Sequence, residues 1–288
     1  MAVKQWVLAV VASVGVLTTT SAMAASFCGD RLNSGGPLGG GPLLTIIGLT
    51  ADQQLVTFRE CLPGRLDPIG RVSGLQSPDT ALIGIDFRVQ DGLLYGVGNG
   101  GGIYTIDTDS AAAIRVSQLT TPLSGTLFGV DFNPAADRLR IISDAGQNLR
   151  HNVNAGGTTM VDGPLNYAAG TTAIGLTGAA YTNNDLDPTT GTTLFDLDTS
   201  LHQVAIQSPP NGGSRAATGQ LTVDPDTPVG FDLYTDLKGG MAQNNRGFAS
   251  LVVGGVSGFY RVNVLSGRAI LIGNFDDAVI DIAIPLDQ

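Results

Sequence analysis

Lysine is almost missing from this sequence. Lys4 and Lys238 are the only two in 288 residues. With 15 basic against 25 acidic side chains the net charge is −10, and loss of Lys4 would take it to −11. A chain with a pI near 4.4 attracts neither a phosphate backbone nor an anionic lipid surface, so nucleic acid is excluded as a partner. Charged residues make up only 14%, which leaves Thr, Ser, Asn and Gln to solvate the surface. Tryptophan is also scarce. Trp6 is the single one, in a segment expected to be removed, so no indole remains to stack on a sugar, although tyrosine can substitute. Two cysteines, Cys28 and Cys61, are too few for a Cys-only metal site. Long apolar runs are absent after the first, Trp6 to Leu17.

That first run sits behind Lys4 and ends in Ala22-Met23-Ala24, a small-residue cleavage pattern. It reads as a secretory signal peptide over residues 1–24, too short and wrongly flanked for a membrane span. Phe27 before Cys28 argues against a lipoprotein. The mature chain is expected in the periplasm or outside the cell, with no membrane span. In that oxidising setting Cys28 and Cys61 are expected to form a disulfide. It would tie a Gly-rich arm, residues 25–42, to one folded domain over residues 43–288.

The folded part repeats. ALIGIDFRVQDGLLYGV (81–97) returns as TLFGVDFNPAADRLRII (126–142). GLTGAAYTNN, VGFDLYTD and AVIDIAIP align with them, placing Asp86, Asp131, Ala180, Asp232 and Asp281 on one position. A second marker, an apolar strand ending in Leu or Phe, recurs at Leu75, Leu119, Leu165, Leu221 and Phe275. A third is a strand running into an Asx turn: IYTIDTDS, LRHNVNAG, LFDLDTSL and FYRVNVLSG. Each unit reads as four short strands, and a period near 45–50 residues is that of a β-propeller blade. Forty glycines and many β-branched residues agree with an all-β chain. The first unit has only three strands and the last copy only one. The expected fold is therefore a five-bladed β-propeller, closed where the segment near Ile282 pairs beside the one near Ile46.

TLFGVDFNPAADRLRIISDAGQNLR, LTGAAYTNN and IGLTADQQLVTF resemble the bacterial secreted proteins grouped as domain of unknown function 4394. The resemblance runs from about Leu43 to Pro285. It implies an exported, propeller-like bacterial protein and brings no activity or site residue with it.

Two sets of residues are candidates for chemistry. Asp86, Asp131, Asp232 and Asp281 are expected near the propeller axis. They either brace backbone N–H groups of adjoining strands or line a channel that binds Ca²⁺. Repetition favours bracing, because a feature copied in most blades serves the blade. The glycines two residues earlier suit close backbone approach at the axis. Arg138, Arg140, Arg150 and His151 are concentrated in an acidic protein, and form either an anion- or partner-binding patch or salt bridges to nearby acids. The polar loop TNNDLDPTTGTT, with Asp185 and Asp187, reads as a solvated turn or an ion loop. His151 and His202 are not expected to meet. No G-x-S-x-G elbow occurs, and SGGPLGGGPL lacks the lysine of a phosphate loop.

Three function classes remain. The leading one is a non-catalytic binding or scaffold module with an unknown protein or small-molecule ligand and no cofactor. The alternative is a lactonase-like or glycosidase-like hydrolase using the axial aspartates, with Ca²⁺ as the implied ion. The third is a structural surface or matrix component.

Overall fold

The structure, a computed structural model, describes residues 43–168 and 170–288. The expected signal (1–24), the Gly-rich arm (25–42) and Cys28 lie outside the described residues.

Strands and tight turns account for nearly all of the described chain. The first unit supplies β1 (Thr45–Thr50), β2 (Gln54–Arg59) and β3 (Leu62–Arg71). The second supplies β4 (Leu82–Phe87), β5 (Leu94–Gly98), β6 (Gly102–Ile106) and β7 (Ala113–Gln118). The third supplies β8 (Phe128–Asn133), β9 (Arg138–Ser143), β10 (Asn148–His151) and β11 (Thr159–Val161). A small hairpin, β12 (Asn166–Ala168) and β13 (Thr171–Thr172), precedes the fourth unit. That unit is β14 (Leu176–Tyr181), β15 (Leu194–Asp198), β16 (Gln203–Gln207) and β17 (Arg215–Gln220). The fifth is β18 (Pro225–Lys238), β19 (Met241–Val253), β20 (Val256–Val262) and β21 (Ala269–Asn274), and β22 (Val279–Ala283) ends the chain. One 3₁₀ turn, Pro210–Gly212, is the only helical element among the described residues.

Units two to five each form one antiparallel four-stranded sheet, and β22 joins the first unit in the order β22-β1-β2-β3. The innermost strands touch in a closed cycle, β22 to β4, β8, β14, β18 and back to β22. This is a five-bladed β-propeller. Closure is by the terminal strand: Ile47 lies opposite Ala283, Gly48 opposite Ile282 and Leu49 opposite Asp281. Gln288 adds a stitch, since Thr45 N–H donates to its side-chain oxygen (2.7 Å) and Tyr234 Oη donates to its carbonyl (2.8 Å).

Packing follows from that geometry. Each blade buries both faces on its neighbours, and there is one apolar core per boundary. Leu49, Ile85 and Phe87 fill the boundary of blades 1 and 2, and Tyr95, Val130 and Phe132 that of 2 and 3. Leu197, Phe231 and Leu251 fill 4–5, and Phe58, Phe248 and Phe259 fill 5–1. The boundary of blades 3 and 4 has a thin apolar core, around Ile142, Leu176, Tyr181 and Leu194. Much of its interior is polar instead, with Arg140, Asn148, Asp196, Gln207 and Arg215 all buried.

The recurring glycines are required where backbones meet at the axis. A Cβ on Gly129 would stand 2.6 Å from the Ala179 nitrogen, and one on Gly230 would stand 2.6 Å from the Asp281 Cα. No side chain fits at those separations. The second marker also has a backbone cause. The N–H groups of Leu119, Leu165, Leu221 and Phe275 donate to the carbonyls of Gly101, Gly146, His202 and Ser257, locking each outer strand to the start of the strand beside it. Asp107, Asn152, Asp198 and Asn263 form Asx bonds as the third marker predicts. In blade 4, however, LFDLDTSL is the second strand, not the third, so the marker there sits one hairpin early. Both hairpins of a blade turn tightly, and an Asx turn serves either.

The register of the last copy differs from expectation by two residues. Gly230 packs against Asp281 and Ile282, as Gly129 packs against Gly178 and Ala179. Asp281 therefore occupies the glycine position of the closing strand, and Ala283 occupies the aspartate position. Ile47, Gly48 and Leu49 opposite β22 then match Tyr95, Gly96 and Val97 opposite β4.

Candidate functional site

Three aspartates stand at the equivalent inner position, on β4, β8 and β18, and two alanines, Ala180 and Ala283, fill the other two places. The N–H group one residue further on must be satisfied in all five blades, because it is buried at the axis. Asp86 accepts from Phe132 N–H of the next blade at 2.7 Å. Asp131 accepts from Tyr181 N–H at 2.9 Å. Asp232 accepts from Ile284 N–H at 2.6 Å. Where the preceding blade carries alanine, the aspartate turns its other oxygen on its own strand. Asp86 then accepts from Phe87 N–H (2.7 Å) and Asp232 from Leu233 N–H (2.5 Å). Three carboxylates thus satisfy five N–H groups. Asp281, displaced by two residues, accepts from Ile85 N–H of blade 2 at 2.8 Å.

Asp86, Asp131 and Asp232 each bring one oxygen within 4.8 Å of the others, a spacing that can hold a metal ion. Their protonation equilibria oppose charge. Burial pushes Asp86, Asp131 and Asp281 well above the usual carboxylate range, with mutual repulsion adding to it. Burial also raises Asp232 to about 7, held from rising further by its two N–H bonds. At one mouth of the channel Ile83, Phe128, Val229 and Ile280, with Thr177, one from each inner strand and each three residues before the aspartate position, ring a cavity of about 200 Å³.

Arg138, Arg140 and Arg150 come together. With Tyr181, Asn133 and Asn211 they line a cavity of about 190 Å³ between blades 3 and 4, at the opposite end of the strands. Alternation on β9 puts Arg138 and Arg140 on one face, and pairing places Arg150 of β10 directly opposite Arg140. Like charges in that position repel, and Asp162 offsets them. One of its oxygens accepts from Arg140 Nη1 and from Arg150 Nε, each at 2.7 Å. Arg140 is otherwise committed, donating to Asn148 (2.6 Å), Asn211 (2.9 Å) and the Tyr181 hydroxyl (3.2 Å). Arg138 Nη1 donates to the Ala136 and Asp137 carbonyls.

His151 does not belong to this group. Adjacent to Arg150, it points to the other face of β10, towards blade 2. Its ring bonds Ser117 (2.9 Å) and Thr159 (3.1 Å), and burial drives it down to about 4. His202 sits apart on blade 4 against Asp224, so the two histidines do not meet. The polar loop of blade 4 is a clamp to blade 5. Asn183 and Asn245 bond each other, and Asp185 accepts from Ala242 N–H at 2.8 Å. Cys61 is buried in the turn between β2 and β3, and its expected partner Cys28 is outside the described residues. Among the described residues no helix is long and apolar enough to cross a membrane.

Sequence reasoning missed Asp162, Tyr181 and Asn211 as neighbours of the arginines. Asp162 lies in VDGPL (161–165), the copy of the second marker that ends at Leu165. Tyr181 follows Ala180, the break in the aspartate series.

A family model for the domain of unknown function DUF4394 matches residues 54–283. This chain belongs to that family. No curated protein matches it. Among solved structures it is similar to a chain of a nidogen/laminin complex, at 10% identity and a TM-score of 0.48 over 86% of this chain and 100% of that one. It is similar to a structural-genomics protein of unknown function from Bacteroides thetaiotaomicron, at 14% identity and 0.46 over 88% and 70%. It is also similar to an auxiliary nutrient binding protein from Bacteroides ovatus, at 12% identity and 0.43 over 77% and 57%. The blade count rests on the strand pairing of this chain alone.

Proposed function

We propose that this DUF4394 chain is an exported, non-catalytic binding module whose small-molecule ligand enters the cavity between blades 3 and 4. The observation that carries this is the gathering of three arginines, a tyrosine and two asparagines around one cavity, at the boundary with the thinnest apolar core. The other boundaries are filled mainly by apolar side chains: Leu197, Phe231 and Leu251 at 4–5, and Phe58, Phe248 and Phe259 at 5–1, where one buried Arg246–Glu60 pair joins them. The volume, about 190 Å³, is below the ~300–1,000 Å³ of drug-sized clefts and suits a small ligand.

The axial aspartates support a non-catalytic reading. Five N–H bonds engage five of the six oxygens of Asp86, Asp131 and Asp232, as a bracing role requires, and among the described residues leave only the second Asp131 oxygen without one. Export is supported by the signal pattern of residues 1–24. A Cys28–Cys61 disulfide would fasten the arm to blade 1.

The test uses Ala136, which is exposed on the rim of the cavity. Thermal-shift screening against small metabolites should give binders that Ala136→Trp loses while keeping the wild-type melt. Binders that survive Ala136→Trp, or that are chemically converted on incubation, would reject the proposal.

A further inference from the structure

Within the cavity just proposed as the binding site, the charges do not balance. Arg138, Arg140 and Arg150 bring three positive charges, and Asp162 returns one negative. Asp137 is engaged elsewhere, in a bidentate pair with Arg88 of blade 2. Two positive charges are left over among the lining residues of a protein whose net charge is −10, and Asp137 offsets Arg138 only in part, since its partner Arg88 is shared with Asp91.

The donors are unevenly used, and that decides which arginines would act. Arg140 spends Nε, both Nη1 hydrogens and one Nη2 hydrogen on Tyr181, Asn148, Asp162 and Asn211. It is a buried strut. Arg150 makes only its Nε bond to Asp162, which leaves both of its terminal nitrogens without a protein partner among the described residues. Its side chain is 29% exposed. Arg138 likewise bonds through Nη1 alone, leaving Nε and Nη2. Guanidinium forks with free, parallel N–H groups recognise carboxylate and phosphate oxygens, and such charge-assisted bonds are about twice as strong as neutral ones.

We propose that this cavity binds a small organic dianion, a dicarboxylate or a phosphate ester, whose oxygens are held by Arg150 and Arg138. Arg140 positions the floor through Tyr181 and Asn211. The ligand's two charges neutralise the surplus that Asp162 leaves. This assignment rests on the binding reading above and adds the ligand class to it.

The experiment is calorimetric titration of the purified chain with succinate, methyl phosphate and the uncharged succinamide. Each is run on the wild type and on Arg150→Gln, Arg138→Gln and Ala136→Trp. Succinate or methyl phosphate should bind, and which of the two is tighter identifies the oxyanion. Each Arg→Gln variant should weaken that binding about tenfold or more, equivalent to about 1.4 kcal/mol. Raising NaCl should weaken it further through screening. The unliganded melts of both Arg variants should stay close to wild type, because neither side chain is a strut. Succinamide binding as tightly as succinate, and lost in Ala136→Trp, would overturn the dianion while leaving the binding site standing. Dianion binding that none of the three substitutions changes would overturn both. No binding by either dianion overturns the inference outright.

Discussion

Asp86 accepts two backbone N–H groups at once, Phe87 on its own strand and Phe132 on the next blade, each at 2.7 Å. One carboxylate thereby fixes the spacing of two innermost strands. Asp131 does less. Its single protein bond at the axis is from Tyr181 N–H, through one oxygen. The same residue type at the same repeat position carries different loads because the blade before Asp86 presents Ala283 and the blade before Asp131 presents Asp86.

That difference predicts opposite outcomes for the same substitution. An amide has one acceptor oxygen. Asp131→Asn keeps its bond to Tyr181 and turns an NH₂ group towards the neighbouring carboxylates, so stability should hold or rise. Asp86→Asn must face one N–H donor with another, leaving a buried donor unsatisfied at about 1–3 kcal/mol. For a chain of this size each kcal/mol moves the melting temperature by about 2–4 °C. Melts of the two variants at pH 7.5 check it. Equal losses in both would mean that the axis is held together by charge and not by acceptor count.

The pH dependence follows from the same cluster. Asp232 is raised to about 7, and Asp86, Asp131 and Asp281 are raised well above the usual range. A carboxylate raised in the fold binds more protons folded than unfolded. Its contribution is complete below about 4 and is lost as pH rises through the folded value. His151, lowered to about 4, acts oppositely between about 4 and 6.5, since it resists protonation in the fold. Above 6.5 only raised aspartates act, the axial ones and Asp196, which burial also raises to about 7, so the melting temperature should fall from pH 6.5 to 8.5, and fall less steeply in Asp131→Asn. A flat profile over that window contradicts the desolvated cluster.

Closure makes the terminus indispensable. Removing residues 279–288 strips β22 from β1, uncovers Ile46, Ile47 and Leu49, and removes the partners of Asp232 and Tyr234. The truncated chain should be insoluble or lack a cooperative melt by circular dichroism. A truncated chain that melts within a few degrees of the full one would show that blade 1 stands without its inner strand.

Much of this architecture was legible because blades repeat, and repetition multiplies a weak signal. The five-fold count, the ring closure and the axial glycines all follow from residues that recur at one spacing. The register of β22 did not follow, and the reason is the period of a strand. A slip of one residue would have turned Ile282 to the wrong face, but a slip of two keeps every face and merely exchanges Asp281 for Ala283. The arginine cavity was half legible. Its basic residues lie close together in sequence, whereas Tyr181 and Asn211 arrive from blade 4 by tertiary packing. His151 was grouped with the arginines by proximity along the chain, and strand alternation separates it from them.

Calcium separates the two meanings of the axial acids most directly. A ligand that binds only the folded state stabilises it by about 2.7 kcal/mol at a hundred times its dissociation constant. On this chain that is a rise of several degrees. The Asp86, Asp131 and Asp232 oxygens lie close enough for an ion, but binding one would require three desolvated carboxylates to carry charge together and N–H bonds to be shared. Melts in millimolar Ca²⁺ and in chelator should therefore coincide to within about 1 °C, at pH 7.5 and in Asp131→Asn alike. A clear rise with Ca²⁺ in the wild type that Asp131→Asn abolishes would instead make the axis a metal centre, and the hydrolase reading would then be the one to pursue.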